Sequence, residues 1–275
     1  MDATLAIFRR NMLNFSRDRV RVAASLAMSL LFLFVFSFAM KSSVASQITQ
    51  PMNYLICGVI IMTVFQQAFN NSTAILDDIA NGFMKEILVA PIARREIAIG
   101  QVLSSSAIAV AQGLIVLIAG LFMGLNLDAL HLLETIGIML VSGLTFGSIG
   151  LFVATVAKGS SAFQILSAML VMPLTFLSGA YIPTAAMPEF LQPVIYLNPL
   201  TYITSAFRFA AMHMEDLSQA QLVQEGVAYD IGGFILTPQL GLLVIVTIGL
   251  CFLALCVRKF DCADFSAVRT FRHHH

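Results

Sequence analysis

Six long runs without a charged residue dominate this sequence and limit what it can fold into. Each run approaches or exceeds the 20 or so apolar residues that a helix needs to cross a bilayer core about 30 Å thick. Only 11% of the 275 residues are charged, against about 25% in a soluble domain, so lipid must cover much of the surface. We therefore predict an all-α integral membrane protein with one six-span transmembrane domain over residues 22–275. The runs lie at about 22–40, 54–76, 97–124, 136–156, 163–182 and 239–257.

Basic residues are distributed unevenly between the two sides of this layout. Of the 15 lysines and arginines, 13 precede the first run, follow the sixth, or lie between runs 2 and 3 or runs 4 and 5. Only Lys41 and Arg208 fall on the other side. Because loops rich in Lys and Arg stay in the cytoplasm, both termini are expected to be cytoplasmic. The expected location is the bacterial cytoplasmic (inner) membrane.

Two segments on the cytoplasmic side have an amphipathic pattern. Residues 1–21 are predicted to form an interfacial helix, with Leu5 and Phe8 on its apolar face. This helix either anchors the chain to the membrane surface or also braces a cytoplasmic partner. Residues 77–96 are too apolar for a solvated linker and favour a short helix that Pro91 ends. That helix either lies against its own spans or docks into a groove on a cytoplasmic protein.

The long external segment at 183–235 has two parts of different character. Residues 183–212 are apolar but repeatedly interrupted by proline, a pattern that favours short helices entering the outer leaflet without crossing it. Residues 215–235 are polar and acidic and are predicted to form a small external cap, with a helix that ends at Gly226.

The chemistry that the sequence lacks also restricts its function. None of the six runs contains Asp, Glu, Lys, Arg or His, whereas ion-coupled carriers usually keep such groups in the membrane. No Gly-Lys dipeptide occurs, so the phosphate-binding loop of ATPases is absent. No catalytic constellation and no His and carboxylate cluster at metal-ligand spacing is evident. We expect a non-catalytic chain that binds no cofactor, metal or nucleic acid and takes its energy from another polypeptide.

The second run carries a stripe of amide side chains. Two pairs are spaced four residues apart, as neighbours on one helix face are. Such amides commonly form hydrogen bonds between helices; alternatively, they line a translocation path. The four residues are Gln66, Gln67, Asn70 and Asn71.

Two blocks of sequence resemble a known family. NGFMKEILVAPIARREIAIGQ at 81–101 is similar to the cytoplasmic coupling segment of type-2 ATP-binding-cassette (ABC) transporter permeases, and LSGAYIPTAAMPEFLQPVIYLNPLTYITSAFR at 177–208 is similar to their external signature. The sequence of the first block is most similar to that of the drug-resistance branch, which includes daunorubicin-type exporters. Nodulation-factor and polysaccharide exporters form the next most similar branches. With the six-span layout, the likeness covers nearly the whole chain.

The resemblance implies a homodimer of such subunits, with two ATPase subunits on separate chains that bind ATP and Mg²⁺. It also implies a coupling helix at about 82–90 and external re-entrant helices. The implied ATPase-coupling residues are Asp78, Gly82, Phe83, Met84, Lys85, Glu86 and Pro91. The external signature residues are Gly179, Pro183, Pro188, Pro199, Tyr202 and Arg208.

The expected function is that of an exporter permease that moves an amphipathic drug-like or lipid-like molecule outward. A lipid-linked glycan or polysaccharide is the alternative cargo. A membrane assembly or sensor subunit that transports nothing is the alternative outside transport.

Overall fold

The computed structural model describes residues 2–40, 50–82, 93–157, 159–184, 187–231 and 234–262. These residues form eleven α-helices, two 3₁₀ turns (Asn71–Thr73 and Glu189–Leu191) and one small hairpin. The helices are α1 (Asp2–Arg17), α2 (Arg19–Met40), α3 (Pro51–Asn70), α4 (Ala74–Ala80), α5 (Arg94–Phe122), α6 (Ala129–Val156), α7 (Ser160–Phe176), α8 (Gln192–Leu197), α9 (Pro199–Ala211), α10 (Gln219–Gln224) and α11 (Pro238–Cys262).

Four helical stretches are long and apolar enough to cross a membrane. They are Pro51–Ala80, Arg94–Phe122, Ala129–Val156 and Pro238–Lys259, and they coincide with the second, third, fourth and sixth predicted spans. The first and fifth predicted spans correspond to shorter apolar stretches, Val22–Val35 and Ser160–Phe176. The protein is therefore a mostly helical, multi-pass membrane protein, and the six-span count remains a prediction.

The core of the bundle is built around α3. Every residue from Tyr54 to Phe65 is buried, and α3 packs against α2, α5, α6 and α9. In α3, 78% of the most apolar stretch is buried, whereas in α11 only 22% of the most apolar stretch is buried. Because an apolar helix is stable in lipid without being covered by protein, α11 suits the periphery and α3 the centre.

The helix α9 lies within the external segment predicted to be re-entrant. It has 13 residues and is therefore about 20 Å long, too short to cross the bilayer core. Residues 200–208 are all buried, because α9 packs against α3, α6 and α11. The helix is therefore held inside the protein fold.

The all-α prediction is incomplete at the external cap. There β1 (Tyr229–Ile231) and β2 (Phe234–Leu236) pair in antiparallel fashion, with Tyr229 opposite Leu236. Their aromatic and β-branched residues favour strands, but three residues are too few to show an alternating pattern. Helix α10 precedes them, and Gly226 follows its last turn with φ of 68°.

Candidate functional site

A polar network joins α1, α4 and α5 on the predicted cytoplasmic side. The Arg10 guanidinium donates to the Asp78 carboxylate, with 2.5 Å between Nη2 and Oδ2, and the two side chains are only 25% and 21% exposed. Arg10 Nη2 also donates to Asn11 Oδ1 at 2.9 Å. The Asn11 amide nitrogen in turn donates to Gln101 Oε1 and Ser104 Oγ, each at 2.8 Å. Because hydrogen bonds to charged groups are among the stronger ones, this network ties α1 to both α4 and α5.

The network flanks the predicted coupling helix. Of the predicted coupling residues, Asp78 and Gly82 are described, and Gly82 has φ of 77°, a conformation that favours glycine. Phe83, Met84, Lys85, Glu86 and Pro91 lie outside the described residues, so the coupling helix itself remains a prediction. Before this segment, Asp77 accepts a hydrogen bond from Ser160 Oγ at 3.0 Å. After it, the Glu96 carbonyl accepts one from Thr4 Oγ1 at 3.3 Å.

A polar cavity of about 240 Å³ opens beside this network. Helix α1 contributes Arg10 to its wall, Asp18 contributes from the residue between α1 and α2, and α4 contributes Asp77 and Asp78. Asn71, one of the four amides predicted to form a stripe, also lines this cavity and is 5% exposed. The helical path changes to a 3₁₀ turn at Asn71–Thr73, where the α-helical spacing assumed for the stripe no longer holds.

A second space, of about 500 Å³, forms a groove between α3 and α7. Gln66 and Asn70 line it from α3, and Gln164 and Ser167 line it from α7. Ser167 Oγ donates to Asn70 Oδ1 at 3.2 Å. Gln67 is half-buried but does not line the groove. The structure therefore brings Gln66 and Asn70 together and separates Asn71 from them.

The walls of this groove are neutral. Besides its amides and hydroxyls it presents apolar side chains, among them Phe163 and Val171. No charged side chain is among the described residues that line it. Such a surface suits a molecule with both apolar and uncharged hydrogen-bonding parts.

Arg208 is the centre of a second site, on the predicted external side, which is called the external site below. Its side chain is completely buried, and its Nη2 donates to the carbonyl oxygens of Gly179 at 2.9 Å and Ala180 at 2.7 Å. Longer contacts of 3.4 Å reach the Tyr54 carbonyl, and the guanidinium carbon lies 3.3 Å from the centre of the Tyr54 ring. Buried charge is costly unless it is well hydrogen-bonded. Here, among the described residues, main-chain carbonyls and an aromatic face stabilise it.

The chain passes close to α3 at this site. Gly179 has φ of 76°, in the left-handed region that glycine tolerates best, and its carbonyl accepts a second hydrogen bond from Tyr54 Oη at 2.8 Å. A Cβ atom placed on Gly58 would lie 2.1 Å from the Ala180 carbonyl oxygen. Glycine at 58 and glycine at 179 thus allow the turn after α7 to approach α3 closely enough for Arg208 to hold it.

Other signature residues shape the start of α9. Pro199 occupies its first turn, where a missing amide hydrogen costs nothing. Asn198 Oδ1 caps the helix by accepting from the Leu200 amide at 2.9 Å. The Tyr202 hydroxyl donates to the Tyr196 carbonyl, and its ring meets that of Tyr229 edge-on. Burial raises the pKa of the Tyr229 phenol, which therefore stays protonated.

The signature prolines lie in different surroundings. Pro183 is buried and Pro188 is exposed. Arg208 donates its hydrogen bonds to other carbonyl groups, those of Tyr54, Gly179 and Ala180. Sequence reasoning identified Arg208 but missed its partner Tyr54 and the contact at Gly58. A lone arginine in an apolar segment indicates that hydrogen-bond acceptors lie close to it. When the acceptors are backbone carbonyls, the sequence cannot identify them, because every residue has one.

Comparison with known proteins identifies the family of this fold. The ABC-2 type transporter family matches residues 2–212. The chain belongs to this family.

Individual relatives of the chain include two proteins named as transport permeases and one nodulation protein. It is 29% identical over 173 residues to the putative transport permease ycf38 of Cyanophora paradoxa, covering 61% of this chain and 58% of that protein. It is 26% identical over 175 residues to the inner membrane transport permease YadH of Escherichia coli K12, covering 60% and 65%. Nodulation protein J of Azorhizobium caulinodans is 25% identical over 207 residues, covering 71% and 78%. The chain thus spans less than two thirds of the length of the first two of these relatives.

Proposed function

We propose that this chain is the permease subunit of an ATP-binding-cassette exporter, which moves an amphipathic molecule outward with energy from ATP hydrolysed by a separate ATPase chain. The observation that carries the proposal is the polar network among α1, α4 and α5. It lies beside the segment predicted to meet the ATPase, and Arg10 links it to Asp78 at 2.5 Å. A displacement of that segment would therefore reach three helices at once.

The partner ATPase would bind ATP and Mg²⁺, and this chain would supply no group to the nucleotide. Closure of two ATPase subunits around ATP would press on the coupling helix at about 82–90. The bundle would respond by changing between two arrangements that open to opposite sides. The network supports this role because a charge-assisted hydrogen bond fixes α4 relative to α1, and neutral hydrogen bonds from Asn11 fix α5 relative to α1.

The proposed setting is a bacterial inner membrane with both termini in the cytoplasm. The 13 basic residues on one side support this orientation. The name of the Escherichia coli relative, an inner membrane transport permease, agrees with the location.

A second, identical permease subunit completes the proposed transporter. Large apolar side chains of α7 point away from the rest of the bundle: Met169 is 69% exposed and Met172 is 66% exposed. On α2, Phe34 is 63% exposed. Lipid covers part of this surface, and a second copy packed there would enclose the groove between α3 and α7.

The neutral groove supports an amphipathic drug-like or lipid-like cargo. Gln66 and Asn70 would bind the polar part of the cargo, and Phe163 and Val171 would contact its apolar part. The similarity to nodulation protein J keeps a lipid-linked glycan or polysaccharide as the alternative cargo. A membrane assembly or sensor subunit is the alternative without transport.

The test is reconstitution of the chain in lipid vesicles with the ABC ATPase that copurifies with it. We expect substrate to stimulate ATP hydrolysis and ATP to drive substrate across the bilayer. Replacing Phe83, Lys85 or Glu86 by Ala should weaken this stimulation roughly 5- to 150-fold, the usual range of coupling between sites. The Phe122→Ala variant is the matched control, because Phe122 is 89% exposed at the opposite end of α5.

Two results would contradict the proposal. Coupling that is unchanged in the Phe83, Lys85 and Glu86 variants would exclude 82–90 as the coupling helix. ATP hydrolysis that responds to ligand without any transport would favour the sensor alternative.

A further inference from the structure

Two histidines and several carboxylates meet on the predicted external side, away from the residues discussed above. Donor atoms of Asp128, His131 and His213 all lie within 4.8 Å of one another. Asp128 and His131 lie at the start of α6, and His213 follows the end of α9. The expectation that no metal-ligand cluster exists rested on spacing along the sequence, and these residues come from two distant segments.

The hydrogen bonds of the two rings fix where their lone pairs are. His131 Nε2 lies 2.8 Å from Glu215 Oε1, and His213 Nε2 lies 3.1 Å from the Asn126 carbonyl oxygen. Carboxylate and carbonyl oxygens only accept, so each Nε2 carries the proton. In a neutral imidazole, each Nδ1 then carries a free lone pair. Metal-bound histidines have this arrangement, with the second ring nitrogen donating to a carboxylate or a carbonyl.

The free nitrogen of His131 is an independent observation that indicates a ligand. His131 is only 9% exposed, and its Nδ1 has no hydrogen-bond partner among the described residues. Buried polar atoms are nearly always paired. The rings of His131 and His213 have their centres 3.8 Å apart.

We propose that Asp128, His131 and His213 bind a divalent transition-metal ion, with Zn²⁺ as the best fit. Zinc binds imidazole nitrogens together with carboxylate oxygens, and sites with three protein ligands complete a tetrahedron with water. Donor atoms of such a tetrahedron are roughly 3.4 Å apart, so small side-chain rotations would bring the three together. Glu215 and the Asn126 carbonyl are positioning groups that orient the two rings.

A metal ion here would crosslink the turn between α5 and α6 to the end of α9. Because α9 also carries Arg208, the ion would stabilise the helix that holds the external turn against α3. A second cluster shares His131 and adds Glu134 and Glu215. In that set Glu215 already accepts a hydrogen bond from His131 Nε2, so we assign the ion to the first set.

The test measures Zn²⁺ binding to the purified full-length chain in detergent, by competition with a chromophoric chelator. The wild-type chain should bind one more tight Zn²⁺ per chain than the His213→Asn and Asp128→Asn variants. The Glu215→Gln variant should retain the site with roughly 10- to 100-fold weaker affinity. His273, His274 and His275 stay in every variant, so their own metal binding cancels from the comparison.

Controls separate loss of the site from loss of the fold. Asp216→Asn removes a neighbouring exposed carboxylate and should leave Zn²⁺ binding unchanged. His213 and Asp128 are exposed, so their variants should elute from a sizing column as the wild type does. In the wild type, bound Co²⁺ should give the intense visible absorption of a tetrahedral site, and His213→Asn should abolish it. Equal Zn²⁺ binding by the wild type, His213→Asn and Asp128→Asn would overturn the proposal, as would loss of binding in Asp216→Asn.

Discussion

Replacing Gly58 by Ala is the most direct perturbation of the external site. A new Cβ would lie 2.1 Å from the Ala180 carbonyl oxygen and 2.9 Å from the carbonyl carbon. Both are main-chain atoms, so the whole turn must move by roughly 1.3 Å to restore ordinary contact. The same displacement would stretch the 2.7 Å hydrogen bond from Arg208 to Ala180 beyond bonding distance.

The expected cost follows from these two effects. Overpacking costs about 1–3 kcal/mol, and loss of a hydrogen bond to a charged group costs about 1.5–3 kcal/mol. Alanine returns about 0.5–1 kcal/mol through its better helix propensity. The free energy of unfolding should therefore fall by roughly 2–5 kcal/mol, which lowers Tm by roughly 4–20 °C.

Two buried cysteines make this change measurable. The chain has no Trp, but Cys57 and Cys256 are completely buried and react with a fluorogenic thiol probe only when the protein opens. Cys251 and Cys262 would be replaced by Ser so that only the buried thiols report. Gly137→Ala is the matched control, because a Cβ there meets nothing within 4 Å, and its Tm should be equal or slightly higher. A Gly58→Ala protein at least as stable as Gly137→Ala would refute the close approach.

Two further predictions concern the predicted cytoplasmic network and the groove. A double-mutant cycle of Arg10→Gln and Asp78→Asn should give a coupling energy of about 1–3 kcal/mol in the free energy of unfolding, because the pair is mostly buried. A coupling energy near zero would show that the pair does not hold α1 to α4. Replacing Asn70 by Leu should reduce the transport of cargo with a polar head several-fold in vesicles, and it should leave the transport of a wholly apolar analogue unchanged. An equal loss of transport for both cargoes would show that Asn70 stabilises the fold and does not bind the cargo. Ser167→Ala, which removes one hydrogen bond to Asn70, should have a smaller effect in the same direction.

Four of the six predicted spans coincide with long apolar helices, because uncharged length is a direct physical requirement of the bilayer. The run at 97–124 corresponds to α5 at Arg94–Phe122. An uncharged run and its helix end at different residues where the backbone geometry changes. The run at 163–182 continues past the end of α7 at Phe176, because the apolar turn that follows is buried against α3 and is not distinguishable by hydropathy.

The candidate sites were predictable only where side chains carry the contact. Arg208 stood out as a basic residue on the wrong side, but its acceptors are carbonyl groups that every residue has. The separation of Asn70 from Asn71 depends on a single 3₁₀ turn, which no residue pattern indicates. Asp128 and His213 come together only through the packing of α9 against α6.

The way in which Arg208 binds its partners bears on how such a protein diversifies. An arginine that donates hydrogen bonds to main-chain oxygens depends on the backbone conformation of the turn and does not depend on the identity of its side chains. A substitution at the exposed Ile182 therefore leaves these bonds available, provided that glycine remains at 58 and 179. The exposed side chains of this turn can therefore change while the hydrogen bonds from Arg208 to the main chain stay the same.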